Sequence, residues 1–142
     1  MNNAWCSIED VYAAYLDCKK RKSKSTQYAQ FAANEAANIY DLWQELNEHT
    51  YTIGASDAFC VTRPKVREVF AAQFRDRIVH HMVMLRLMPL FESVFINDTY
   101  NCRVGKGTDY GINRVAEFMR LHPDGWILKC DIRCFFMNIK KA

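Results

Sequence analysis

Asp131 ends the apolar run Trp126-Ile127-Leu128-Lys129-Cys130, directly after the turn sequence His122-Pro123-Asp124-Gly125. A run that is apolar on both alternating faces reads as a buried central strand over 126–131. A carboxylate at the end of such a strand is costly unless it has a partner, and a strand end is a rigid place to hold a metal ligand. A hard cation such as Mg²⁺ takes one or two carboxylates together with substrate phosphates. Capping of the following helical turn accounts for Asp131 equally well.

Arg63-Pro64-Lys65-Val66-Arg67 is the second candidate. In an extended chain, positions i, i+2 and i+4 share one face, so the three cations would stand in a row. Like charges stacked this way repel, and phosphate is the obvious anion to relieve them. The alternative is an edge hairpin kept soluble by charge. The one-sidedness of the row favours phosphate.

Arg103-Val104-Gly105-Lys106-Gly107-Thr108 precedes a helix start. Glycines let a backbone come close to phosphate, and helix N-termini favour anions. The spacing is not that of a P-loop, and on its own the segment reads better as a plain helix-entry loop. His80-His81 lie in a helix beside Arg77; adjacent residues cannot face one metal from a helix, so a structural use is expected.

These residues must be held by a mixed set of elements. Ser7-Ile8-Glu9-Asp10 opens a helix with a capping serine and acids in its first turn, and Ile8, Val11, Tyr12, Tyr15 and Leu16 follow at helical spacing. That helix ends in the basic run Lys19-Lys20-Arg21-Lys22-Ser23-Lys24. A longer helix over 26–48 carries Tyr28, Phe31, Ala32, Ile39, Leu42, Trp43 and Leu46 on its buried side. Phe59-Cys60-Val61-Thr62 and Val66-Arg67-Glu68-Val69-Phe70 read as the two strands of a hairpin, with Pro64 at the turn. Residues 74–95 read as a helix that Pro89 should kink or end. Thr108 caps a further helix carrying Ile112, Val115, Ala116 and Met119. The expected class is α+β.

Composition bounds the rest. Half of the 142 residues are hydrophobic and a quarter are charged, as in a globular domain. No run approaches the ~18 apolar residues of a membrane span, and the first residues lack the basic opening of a secretory signal. The six cysteines form no CxxC pair, which speaks against zinc, and they read as small apolar residues of a reduced, cytoplasmic protein. Charge is uneven. Residues 1–62 hold five Lys/Arg against eight Asp/Glu, net −3, and residues 63–142 hold fourteen against eight, net +6. A basic second half suits a polyanionic partner; a solvated surface explains it as well.

Taken in order, these segments resemble the bacterial reverse transcriptases of the group II intron, retron and diversity-generating-element type. Lys65-Val66-Arg67-Glu68-Val69 resembles the finger hairpin, although only Val66 separates its two cations. Phe74-Arg75-Asp76-Arg77-Ile78-Val79 resembles the family's "DR-I/V" helix start. Leu87-Met88-Pro89-Leu90-Phe91-Glu92 resembles "L-x-P-x-F-E". Thr99-Tyr100-Asn101-Cys102-Arg103-Val104-Gly105-Lys106-Gly107 resembles "S-Y-x-x-R-x-G-K/R". Lys129-Cys130-Asp131-Ile132-Arg133-Cys134-Phe135-Phe136 resembles the first palm motif, "K-x-D-I-x-x-F-F". The likeness covers residues 59–139, and the first part of the chain matches only loosely.

The resemblance implies a fragment of a right-hand polymerase: a helical N-terminal extension (1–57), fingers (58–125) and the start of the palm (126–142). It implies Mg²⁺ as cofactor, with Asp131 as a catalytic ligand and the Ile132 carbonyl beside it. Arg67 and Lys65 would hold the triphosphate of the incoming dNTP, with Phe136 as an aromatic gate under its sugar. Arg63, Arg103 and Lys106 would meet nucleic acid. The partners are then an RNA template and a DNA or RNA primer, with no membrane; the oligomeric state is left open, a homodimer included. The family's second carboxylate pair, in a "YxDD" hairpin, does not occur in these residues, so the 142-residue piece is expected to be inactive alone. Two rivals remain: a non-catalytic module that binds nucleic acid or protein, and an RNA-directed RNA polymerase.

Overall fold

The computed structural model describes residues 4–22, 25–100, 102–133 and 135–140; the side chains at 21, 22, 136 and 137 lie outside that description. The chain forms two compact units, Met1–Val94 and Phe95–Ala142. Among the described residues the class is α+β, as expected, with helices around one two-stranded antiparallel sheet.

In the first unit, helix α1 (Ile8–Lys22) starts from a reciprocal cap. The Asp10 N–H donates to Ser7 Oγ at 3.1 Å, and the Ser7 N–H donates to Asp10 Oδ2 at 3.0 Å. Two otherwise unpaired donors are thereby satisfied. The apolar face expected of α1 divides. Val11 and Tyr15 are buried with Ala14 and Cys18, whereas Ile8, Tyr12 and Leu16 remain exposed along a groove against the next long helix.

The single helix expected over 26–48 is two: α2 (Thr26–Ala32) and α3 (Glu35–Asn47). Asn34 interrupts it with a non-helical backbone, φ −131° and ψ 48°. Asparagine is a poor helix former, and Asn34 makes no side-chain capping bond. Asn38 repairs the break by donating from Nδ2 to the Phe31 carbonyl at 2.8 Å, one of the acceptors that a helix end leaves open. The bend lets Phe31, Ile39, Leu42 and Leu46 all reach one core.

Helix α4 (Phe74–Val94) supplies the other side of that core through Phe74, Ile78, Val79 and Met82. Tyr15 is fully buried, with its ring 5.8 Å from Phe31 and 6.2 Å from Phe74. Burying one such side chain contributes about 1.5–3 kcal/mol. Burial, followed by its bond to Glu35, pushes the Tyr15 phenol far above its usual range, so it stays a neutral donor to Glu35 Oε2 at 2.6 Å. Pro89 does not end α4, which runs on through it to Val94. The proline forfeits one backbone bond, and the turns on either side keep theirs.

Strands β1 (Asp57–Val61) and β2 (Arg67–Ala71) pair with Val61 opposite Arg67 and Asp57 opposite Ala71. Phe59 and Phe70 are both largely exposed.

In the second unit, helix α5 (Thr108–Leu121) begins one residue earlier than a threonine cap would place it. Gly107 takes the cap position and Thr108 is already helical. The short helix α6 spans Phe135–Asn138. The strand expected over 126–131 is absent: those residues carry no regular structure, and Trp126 and Leu128 are almost fully exposed. An extended segment becomes a strand only when a neighbour accepts and donates its ladder bonds. Among the described residues the one sheet is the β1–β2 hairpin, which already pairs with itself.

Candidate nucleotide and nucleic-acid interface

The row of cations expected on the hairpin is not extended. Arg63 and Lys65 lie in the bend at 62–66, where the Arg63–Pro64 peptide is cis, and Arg67 is the first residue of β2. Proline has no N–H to give to a ladder, so pairing stops at Val61 and resumes at Arg67. The cations therefore crown a loop instead of lining one strand face. All three are exposed, and none forms an ion pair with a described carboxylate.

The base of the hairpin is held firmly, and this was not foreseen. Asp76, in the first turn of α4, is 1% exposed. Its Oδ1 accepts the Tyr51 hydroxyl at 2.6 Å and its Oδ2 accepts the Gly54 N–H at 3.1 Å. Gln73 Nε2 donates to the Ala55 carbonyl at 3.1 Å and to Asp57 Oδ1 at 3.2 Å, and Gln27 donates to the other Asp57 oxygen. An acid in a first helical turn is a visible signal in the sequence. Nothing in the spacing pairs it with Tyr51.

In the second unit, the residues expected to steady a template shape their own loop. Arg103 Nη1 donates to the carbonyls of Ile96 and Thr99 at 2.9 and 3.2 Å, and its guanidinium lies over the Phe95 ring. Lys106 Nζ donates to the Asn97 carbonyl and to Asn97 Oδ1 at 2.5 and 2.6 Å. Gly105 between them has φ +72°, a left-handed conformation that glycine adopts without strain. Asp98 is bound by Tyr100 at 2.7 Å and Arg114 at 3.0 Å, and these two hold its carboxyl below the usual carboxylate range. The Tyr100 ring lies against Gly111, where a Cβ would come within 3.3 Å of it.

Asp131 and Ile132 are exposed and, with Cys130 and Phe135, line an open concavity. Phe136 belongs to α6, and its side chain lies outside the described residues. The described residues gather no group of three His, Cys, Asp or Glu able to hold a metal ion. Asp131 offers one exposed carboxylate, and Mg²⁺ takes one or two carboxylates together with substrate phosphates. Of the two histidines, His81 has a structural use, with Nδ1 2.8 Å from Asp17 Oδ2, whereas His80 is exposed. No described helix is long and apolar enough to cross a membrane.

Comparison with protein-family models finds no match to the chain, and comparison with curated proteins finds none either.

Proposed function

We propose that this chain is the fingers and the beginning of the palm of a cytoplasmic RNA-directed DNA polymerase of the bacterial retroelement type. The observation that carries the reading is the hairpin loop. Arg63, Lys65 and Arg67 are exposed and pair with no described carboxylate, on an arm tied down at its base. Three unneutralised cations held together on a fixed support suit a triphosphate or a nucleic-acid backbone. The five motifs in family order give that arm its place in a polymerase.

In this reading, Arg67 and Lys65 hold the phosphates of an incoming dNTP and Arg63 meets the template. Arg103 and Lys106 set the loop before α5, and that loop meets nucleic acid. Asp131 and the Ile132 carbonyl supply the chain's share of Mg²⁺ ligation. Mg²⁺, when bound, stabilises the charge that builds as the primer 3′ oxygen displaces pyrophosphate from the α-phosphate. The residues of this chain bind and orient, and positioning is most of what such a transfer needs. The resemblance assigns Phe136 the role of aromatic gate for the sugar.

The test is primer extension on an RNA template by a protein that contains this chain. Lys65→Ala/Arg67→Ala is expected to raise KM for dNTP more than it weakens RNA binding. An unchanged KM would return the three cations to the role of a solubilising edge.

A further inference from the structure

The hairpin has little of its own to hold it in place. It has two strands, both aromatic residues on it are largely exposed, and an isolated hairpin of this size is marginal in water. Its orientation must come from its base. There the chain enters β1 through residues 51–56, which have no regular structure, and leaves β2 directly into α4.

Asp76 joins the two. Its carboxylate sits on α4, and it grips the entering segment at two points, the Tyr51 hydroxyl and the Gly54 N–H. Tyr51 is itself fixed. Its N–H donates to the Glu45 carbonyl at 3.2 Å, and the Arg75 guanidinium, paired with Glu45, lies 5.1 Å above its ring. The approach at Gly54 is close: a Cβ there would stand 3.2 Å from Asp76 Oδ2. A buried carboxylate is retained only where its acceptors are filled. Here both filling donors come from the segment that leads into β1.

We propose that Asp76 is the positioning residue of the hairpin, locking the lead-in to β1 onto α4 so that Arg63, Lys65 and Arg67 are presented in one fixed orientation. The consequence for phosphate binding rests on the function proposed above; the anchoring itself does not. Asp76 acts through Tyr51 and Gly54 and touches no ligand.

The experiment uses the full 142-residue chain with two variants. Tyr51→Phe deletes one donor and leaves the ring in place. Asp76→Ala removes both acceptors at once. Amide hydrogen exchange is followed in β1 and β2 and, separately, in α1 and α3; affinity for inorganic tripolyphosphate is measured by calorimetry. Both variants are expected to speed exchange in the hairpin about tenfold or more, the scale of one lost hydrogen bond to a charged group. Exchange in α1 and α3 is expected to stay nearly unchanged, because local opening need not involve the global transition. Tripolyphosphate affinity is expected to fall with hairpin protection. Unaltered hairpin exchange in both variants would overturn the anchor, and so would acceleration shared equally by α1 and α3. A wild-type chain that ignores tripolyphosphate while the variants loosen the hairpin would support the anchor and count against the nucleotide reading alone.

Discussion

His81 Nδ1 donates to Asp17 Oδ2 at 2.8 Å and so ties α4 to α1 across the main helical interface. Asp17 also accepts from Lys20 at 3.3 Å. The His81 bond first, and Lys20 after it, hold the Asp17 carboxyl below the usual carboxylate range. A carboxylate with a depressed folded-state pKa stabilises the fold above its unfolded value, about 3.9. That stabilisation is lost as pH falls through the lower folded value. Both side chains are about a third exposed, so screening limits the pair to about 0.2–1 kcal/mol. Thermal melts of wild type and Asp17→Asn are expected to differ at pH 5–6 and to converge as pH falls below about 4. A gap that persists undiminished at low pH would show that Asp17 stabilises by packing.

The core predicts a larger effect. Ile78 is fully buried among the residues of α1, α2 and α3. Ile78→Ala removes apolar volume that close-packed neighbours cannot refill and is expected to cost about 2–5 kcal/mol. Urea unfolding followed by circular dichroism reads it. A loss within a few tenths of a kcal/mol would mean that the core collapses freely.

Nucleic-acid binding should betray its charge. Each phosphate contact contributes a slope of about −0.7 to −0.9 in log K against log salt. RNA binding by this chain is expected to weaken steeply with salt, and Lys65→Ala/Arg67→Ala to flatten the slope by about one to two contacts. A slope that the double variant leaves unmoved would take the hairpin out of the interface.

Catalysis should separate two residues of one short motif. In a polymerising protein that contains this chain, Asp131→Ala and Asp131→Asn are both expected to abolish synthesis, because the amide keeps the shape but not the charge that holds Mg²⁺. Phe136→Val is expected to preserve DNA synthesis and admit ribonucleotides, since overfilling a packed site typically costs about 1–3 kcal/mol. The ratio of deoxy to ribo incorporation, read beside a thermal melt, decides it. A lowered melt with an unmoved ratio would assign Phe136 to the core.

The 142-residue chain alone is not expected to extend a primer, because its described residues gather no group of three His, Cys, Asp or Glu to hold the ions of a two-metal transfer. Homopolymer-primed synthesis by the purified chain would refute this.

Local chemistry was readable where it is settled within a few residues. Ser7 with Asp10 made the start of α1 legible, and β-branched and aromatic residues around Pro64 made the hairpin legible. The break at Asn34 was not, because it depends on Asn38 reaching back to the Phe31 carbonyl. Neither was the role of Asp76, whose partners lie 22 and 25 residues upstream. The cationic row is not extended for a local reason: Pro64 cannot sit in a ladder. The strand at 126–131 failed because alternation specifies a strand's faces without supplying its neighbour.

That last segment has a practical consequence. Trp126, Ile127 and Leu128 present three large apolar side chains to water on a backbone with no ladder partner among the described residues. Open backbone edges with apolar side chains template their own kind. At high concentration, copies of this chain should therefore stick to one another through this stretch before their helical cores unfold. Colloidal behaviour, more than melting temperature, will set the conditions under which the protein can be handled. A single lysine in place of Ile127 is the change best placed to improve it.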